Sequence, residues 1–203
     1  MIKVIFNYFE PAMPYSPQHK QQSRQKILAS AYRLFTLNGY ERITINQIMA
    51  DCQLTRGGFY AHFSSKSELY TEALKFGTTA SPLVLGNLKS LSTQHWLTEL
   101  FDGYLSIEHI RGIKPCPLAF LSADITTRDR AAKAAYKNAF LGMNKRLLAL
   151  VKQVMPFTTE QMFALSSMMI GTVAIAKTIN DDKVALQLLR ATRKTIRLTL
   201  NGI

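Results

Sequence analysis

The chain has 203 residues, 47% of them hydrophobic and 19% charged, which is enough apolar material to bury a core and excludes a disordered composition. It holds 25 Lys+Arg against 13 Asp+Glu, a net charge of +12 that favours phosphate-bearing partners but also serves solubility alone. Two cysteines, Cys52 and Cys116, exclude a disulfide framework, and no apolar run reaches the ~18 residues of a membrane span, so a cytoplasmic protein with reduced thiols and no membrane contact is expected.

Residues 1–17 carry Pro11, Pro14 and Pro17 without sustained periodicity and read as an N-terminal tail. Their short apolar run is broken by Asn7 and Glu10, unlike an export signal, and Met13 is an alternative start that would remove residues 1–12. A first helix is expected from about Gln18 to Asn38, with Ile27, Ala31, Leu34 and Phe35 inward and Gly39 as its stop. Thr44 to Phe63 then reads as two short helices with a tight connection. Thr44 caps the first, with Gln47 at the capping-box position, and Ile45, Ile48 and Met49 form its apolar face. Thr55 is placed to cap the second, with Leu54, Phe59 and Phe63 as its apolar contacts. Such a pair is the sequence form of a helix-turn-helix, whose second helix enters the DNA major groove. Ser65, with Glu68 three residues on, caps a fourth helix that turns Leu69, Ala73 and Phe76 inward. Residues 77–92 carry Gly, Pro, Ser and Thr and read as a connection.

From Ser92 onward the pattern stays helical. A helix over His95–Ile113 would place Trp96, Leu100, Tyr104 and Ile107 on one face, until Gly112, Pro115 and Pro117 break it. A short helix near Leu118–Ala123 follows, then a long one over Asp129–Val154 ended by Pro156. Thr158 caps the next, with Gln161 as its partner, through Ile179. Asp181 or Asp182 caps the last, which carries Val184, Leu188, Leu189, Ala191, Ile196 and Leu200. Period-2 alternation between turn signals is absent, so an all-α fold without internal repeats is expected.

The run G-F-Y-A-H-F-S-S-K-S-E-L-Y (Gly58 to Tyr70), with Ile27, Ala31, Leu34, Phe35, Gly39, Tyr40, Thr44 and Ile48 upstream, resembles the DNA-binding domain of TetR-family transcriptional regulators. The resemblance covers roughly residues 20–76. It implies an N-terminal helix-turn-helix domain over 18–76 and a larger helical ligand-sensing and dimerisation domain over 77–203. It also implies a ligand-responsive regulator, by the family's majority behaviour a repressor, that a small-molecule effector releases from a palindromic double-stranded DNA operator. The homodimer would form through the last two helices, about 159–200, where Gly171, Ala174, Ala176, Ala185 and Ala191 suit close packing in a four-helix bundle. Tyr60, His62 and Lys66 match the family's phosphate-contacting positions, and Thr44 sits where its hydroxyl and backbone N–H would meet a phosphate. Thr55, Arg56, Gly57 and Gly58 match the base-facing surface. Arg56 suits bidentate readout of a guanine, worth ~1–3 kcal/mol of discrimination. The charge is no guide to this assignment. Residues 1–76 hold 9 basic and 5 acidic side chains, while the remainder holds 16 and 8.

The sequence also departs from the family pattern. Gln53 stands where the family usually has Gly at the turn, and Cys52 where Ala is common. A left-handed Gln costs about 1 kcal/mol. Gly57 and Gly58 each lower helix propensity by ~1 kcal/mol, which predicts a recognition helix that firms up on DNA.

In the larger domain, Trp96, Tyr104, Cys116, Phe120, Tyr136, Phe140, Met143 and Phe163 are candidates both for an effector pocket and for ordinary core. The segment K-P-C-P-L-A-F-L is similar to a Gly-Cys-Leu region in a TetR subgroup, some of whose members sense electrophiles or oxidants. Pro115 replaces the usual Gly there, while Arg111 and Lys114 lie near enough in sequence to favour a thiolate. A buried inert thiol is the other reading. His95, His109 and Cys116 have no recognised metal-ligand spacing, and neither metal nor cofactor is expected. A Gly-rich phosphate loop, a G-x-S-x-G elbow and paired carboxylates are missing, which argues against an enzyme. A helical binding module that no longer engages DNA is the remaining alternative.

Overall fold

The computed structural model describes residues 17–79, 92–112 and 116–200. The tail before Pro17, residues 80–91 of the expected connection, and Lys114 and Pro115 lie outside them. Every regular element among the described residues is helical.

Helix α1 (Pro17–Asn38) opens on a proline, whose missing N–H costs nothing in a first turn. It buries Ile27, Leu28, Ala31 and Phe35, while Leu34, expected inward, is half-buried. Gly39 ends it at φ +80°, donating its N–H to the Phe35 carbonyl at 2.7 Å. Helices α2 (Ile45–Asp51), α3 (Arg56–Phe59) and α4 (Lys66–Thr79) complete the N-terminal head. Its core is aromatic and aliphatic: Phe35, Ile48, Met49, Phe59, Phe63, Leu69 and Tyr70 are buried together. Asp51 fastens α2 to α1, accepting from Ser30 and from Arg33, each at 2.5 Å.

The body begins with α5 (Thr93–Tyr104), capped by Ser92, and α6 (Ile107–Arg111). The single helix expected over 95–113 is therefore two. The Ser106 hydroxyl accepts the His109 N–H at 3.1 Å and starts a new helix, after Leu105 has left helical geometry at ψ 47°. Trp96, Leu100, Tyr104 and Ile107 consequently do not share one helix. Helix α7 (Pro117–Phe120) is shorter than expected and gives way to a 3-10 turn (Asp124–Thr127). Helix α8 (Arg130–Val151) stops short of Val154. Helix α9 (Thr159–Thr178) starts at the expected Thr158–Gln161 capping box, and α10 (Asp182–Thr199) is capped by Asp181.

Leu97, Phe101, Leu147, Val151, Met162, Leu165, Val173, Leu189 and Ile196 form the body core. Two buried polar pairs cross it: Ser166 donates to Asn144 at 2.8 Å, and the Thr172 and Thr192 hydroxyls meet at 2.8 Å. The head's core does not stop at α4. Leu121, Ile125, Ala132 and Ala135 of the body complete it, so the head is seated on the 3-10 turn and the start of α8. No helix among the described residues is long and apolar enough to cross a membrane.

Candidate nucleic-acid interface

The helix-turn-helix is α2, a tight turn and α3. Thr44 caps α2 as its residue type demands: its hydroxyl accepts the Gln47 N–H at 3.2 Å, and Gln47 Oε1 accepts the Thr44 N–H at 2.8 Å. The hydroxyl also donates to the same Oε1 at 2.9 Å. Both groups of Thr44 expected to meet a phosphate are therefore engaged within the capping box. Gln53 enters the left-handed region at φ 58°, so the turn keeps its geometry at the expected cost. Leu54 then donates its N–H to Met49 at 2.8 Å, and the Cys52 thiol donates to the Lys26 carbonyl at 3.4 Å, tying the turn to α1.

Helix α3 is a single turn. Thr55 makes no side-chain cap, contrary to expectation; the turn is closed by the Gly58 N–H donating to the Thr55 carbonyl at 3.0 Å. Nothing lies within 4 Å of where a Gly57 side chain would start, whereas one on Gly58 would meet the Met49 methyl at 3.8 Å. The two glycines therefore differ: Gly57 offers bare backbone outward, and Gly58 packs toward α2. Arg56 is exposed beside them. Phe59 and Phe63 are buried, and between them Tyr60 is 59% exposed, its ring edge-on to Phe59 at 5.1 Å. One side of the segment is thus core, and the other presents Arg56, Gly57 and Tyr60.

His62 is half-buried, and its Nδ1 is buried without a hydrogen-bond partner. Burial, with Lys20 and Arg24 nearby, holds the imidazole below its ordinary range, so it is neutral at pH 7. Arg24 lies 4.9 Å over the Phe63 ring and pairs with Glu72 at 3.4 Å. Lys66, first residue of α4, lies 4.1 Å over the Tyr40 ring, where burial lowers its pKa. The adjoining cap is a shifted capping box: Ser65 accepts the Glu68 N–H at 3.1 Å, while the Glu68 carboxylate reaches back to the N–H and hydroxyl of Ser64.

The body side of this interface escaped sequence reasoning. Arg128 lies 4.4 Å over the same Tyr40 ring and donates to Glu41 at 2.8 Å. Asp124 accepts from Tyr40 and Tyr70, and Asp129 accepts from the Ser67 hydroxyl. No local pattern signals contacts between residues so far apart in sequence.

The eight candidate effector residues are partly brought together. The Tyr104 hydroxyl donates to Cys116 Sγ at 3.3 Å, and the Tyr136 hydroxyl donates to the Leu118 carbonyl at 2.5 Å. Lys177 lies 5.4 Å over Phe120, and the Phe140 and Phe163 rings are 5.7 Å apart. Trp96 and Met143 pack half-buried on the body core. Burial pushes the Tyr136 phenol up to about 12 and raises Tyr104 well above its ordinary range. Arg111, placed by sequence to favour a Cys116 thiolate, instead donates to Asp182 at 3.0 Å and to the Ile179 carbonyl at 2.8 Å. Burial raises the Cys116 pKa, which keeps it a thiol. Among the described residues no group of three or more His, Cys, Asp or Glu is placed to hold a metal ion.

A family model described as bacterial regulatory proteins, tetR family, matches residues 27–73. The HTH-type transcriptional regulator AcrR of Shigella flexneri is 40% identical over 55 residues, 27% of this chain and 26% of that protein. LmrA of Bacillus subtilis (strain 168), also an HTH-type transcriptional regulator, is 29% identical over 125 residues, 58% of this chain and 65% of that protein. The chain thus spans less than two thirds of the length of either relative. Among solved structures, the reduced form of E. coli NemR superposes with a TM-score of 0.71 at 16% identity, over 87% of this chain and 96% of that one. A TetR transcriptional regulator from Legionella pneumophila gives 0.70 at 18% identity, over 93% and 99%. At those identities the likeness shows the fold, while the family model falls on the segment that holds the helix-turn-helix. Residues 27–73 therefore match the helix-turn-helix domain of the tetR family of bacterial regulatory proteins, on a chain with the fold of the solved TetR-family structures.

Proposed function

We propose that this regulator acts in the cytoplasm as a homodimeric repressor that binds a palindromic double-stranded DNA operator and leaves it when a small molecule occupies the body. The observation that carries the reading is the split of the helix-turn-helix: Phe59 and Phe63 fill the core while Arg56, Gly57 and Tyr60 stand outside it. In this reading residues 18–76 form the DNA-binding domain and 77–203 the sensing and dimerising one. Tyr60, His62 and Lys66 contact phosphates, Thr44 keeps its capping box at the start of α2, and Thr55, Arg56, Gly57 and Gly58 face the bases.

Dimerisation through α9 and α10 is supported by their outer face. Gly171 opens onto empty space, and Ile175, Val184 and Leu198 are 54%, 43% and 71% exposed. A second copy would cover these side chains and let two helix pairs approach closely. The effector site would draw on Tyr104, Cys116, Phe120 and Tyr136, with Trp96, Phe140, Met143 and Phe163 around them. An effector releases DNA only by binding the DNA-incompetent state more tightly.

Footprinting on the DNA upstream of the protein's own gene, with and without candidate effectors, tests the reading. A symmetric protected site, lost in Tyr60→Ala/Lys66→Ala and after effector addition, is expected. Ile175→Glu should yield monomers in sedimentation and lose the footprint. A protected site unchanged in both variants would overturn the assignment.

A further inference from the structure

We infer that Arg128, carried on the body, is a positioning residue for Lys66: it occupies Glu41 and so leaves Lys66 available to a DNA phosphate. The inference rests on reading Lys66 as a phosphate anchor.

Three charged side chains meet around one ring. Lys66 Nζ lies 4.1 Å and Arg128 Cζ 4.4 Å from the Tyr40 ring centroid. The electron-rich face of a phenol ring attracts cations, and here it holds two. The ring cannot drift. Tyr70 packs edge-on to it at 5.2 Å, Phe35 stacks on it at 5.8 Å, and the Tyr40 N–H donates to Asp124 at 3.4 Å.

Glu41, next in sequence, carries the carboxylate that decides the balance. It accepts from Arg128 Nη1 at 2.8 Å. The Arg128 side chain is only 14% exposed, and its other nitrogens donate to the Thr127 hydroxyl at 2.6 Å and the Asp124 carbonyl at 3.4 Å. Its guanidinium is therefore pinned to the body and has little freedom to reach DNA itself. Glu41, by contrast, has a side chain 74% exposed. It is also the strongest charged influence on Lys66. Without Arg128, Glu41 is left free to pair with the Lys66 ammonium, which feels its charge more than any other. An ion pair between them would neutralise the anchor, and a phosphate would have to displace a carboxylate rather than counterions and water. Arg128 prevents this and keeps Lys66 resting on the ring, ordered before DNA arrives.

Binding to a mixed-sequence duplex of roughly 30 base pairs, followed by fluorescence anisotropy from about 50 to 200 mM KCl, reads the number of phosphates neutralised. Lys66→Ala should lower the slope of log K against log salt by about 0.9. Arg128→Met should lower it by a similar amount and raise Kd severalfold. Adding Glu41→Gln to Arg128→Met should restore the slope, which a merely structural role for Arg128 would not allow. In the Lys66→Ala background, Arg128→Met should have no further effect on the slope. Arg128→Gln, which keeps a donor for Thr127, replaces the Met variant if that one does not fold. If Lys66→Ala lowers the slope while neutral Arg128 variants leave it intact, or if Glu41→Gln gives no rescue, the inference is overturned alone. If Lys66→Ala itself leaves the slope unchanged, the anchor reading falls and takes the inference with it.

Discussion

The Tyr70 hydroxyl donates to the Asp124 carboxylate at 2.8 Å, joining the first half of α4 to the 3-10 turn of the body. Its other oxygen takes the Tyr40 N–H at 3.4 Å, so one body carboxylate holds two points of the head. Tyr70→Phe removes the stronger of these bonds and should destabilise the protein by about 1–2 kcal/mol in urea unfolding at neutral pH. Burial and then Asp124 raise the Tyr70 phenol above its ordinary value of 10.0. A raised pKa means a contribution fully present below pH 10 and lost as pH climbs through the folded-state value. The gap between wild type and Tyr70→Phe should therefore be constant from neutral pH to about 10 and shrink beyond it. A gap that widens on the alkaline side would refute the assignment.

Gln53 sits at φ 58°, where a side chain crowds the backbone. Gln53→Gly should relieve the strain and stabilise the head by about 1 kcal/mol, less the entropy that glycine adds to the unfolded chain. A rise in urea midpoint without change in slope is the expected outcome, and a fall would mean that the Gln53 side chain does more than occupy the turn.

Gly77 lies on α4 directly under the Tyr32 ring of α1, and a methyl group there would overlap the ring. Gly77→Ala should cost ~1–3 kcal/mol by forcing α1 and α4 apart. Gly77→Ala combined with Tyr32→Leu should recover part of the loss. Thermal unfolding of the two variants decides it.

His62 is held neutral by burial with Lys20 and Arg24 beside it. A phosphate placed against it favours the imidazolium, so its pKa is higher in the DNA complex than in the free protein. Binding then takes up a proton, and affinity should increase as pH falls from about 7.5 to 6. His62→Gln should flatten that dependence. An unchanged pH profile in the variant would remove His62 from the contact surface.

Much of the head was legible because its signals are local. Gly39 after the last helical turn, Thr44 with Gln47, and Phe59 and Phe63 on one face each act within a few residues, and the structure has them as read. The Thr158–Gln161 cap was legible for the same reason. Two local signals misled. Thr55 has the right residue type and position but makes no cap hydrogen bond. The apolar spacing across Leu105 and Ser106 mimics one helix, and the Ser106 hydroxyl divides it. What no pattern carries is the seam. Arg128 and Glu41 are 87 residues apart, and only the packing of α4 against α8 brings them together. The charge of Arg111 was visible, but not that α9 and α10 would claim it.

Gly57 has a further consequence, for how such a protein acquires new targets. A side chain added there would meet nothing of the fold within 4 Å, and it would project from the first turn of α3 beside Arg56. Replacing glycine also improves helix propensity by up to ~1 kcal/mol. One residue of the proposed base-facing surface can therefore be changed without weakening the scaffold. Its neighbour Gly58 is less open, since a side chain there would start in contact with the Met49 methyl at 3.8 Å. In the proposed DNA-bound arrangement, retargeting to a different operator would begin at position 57.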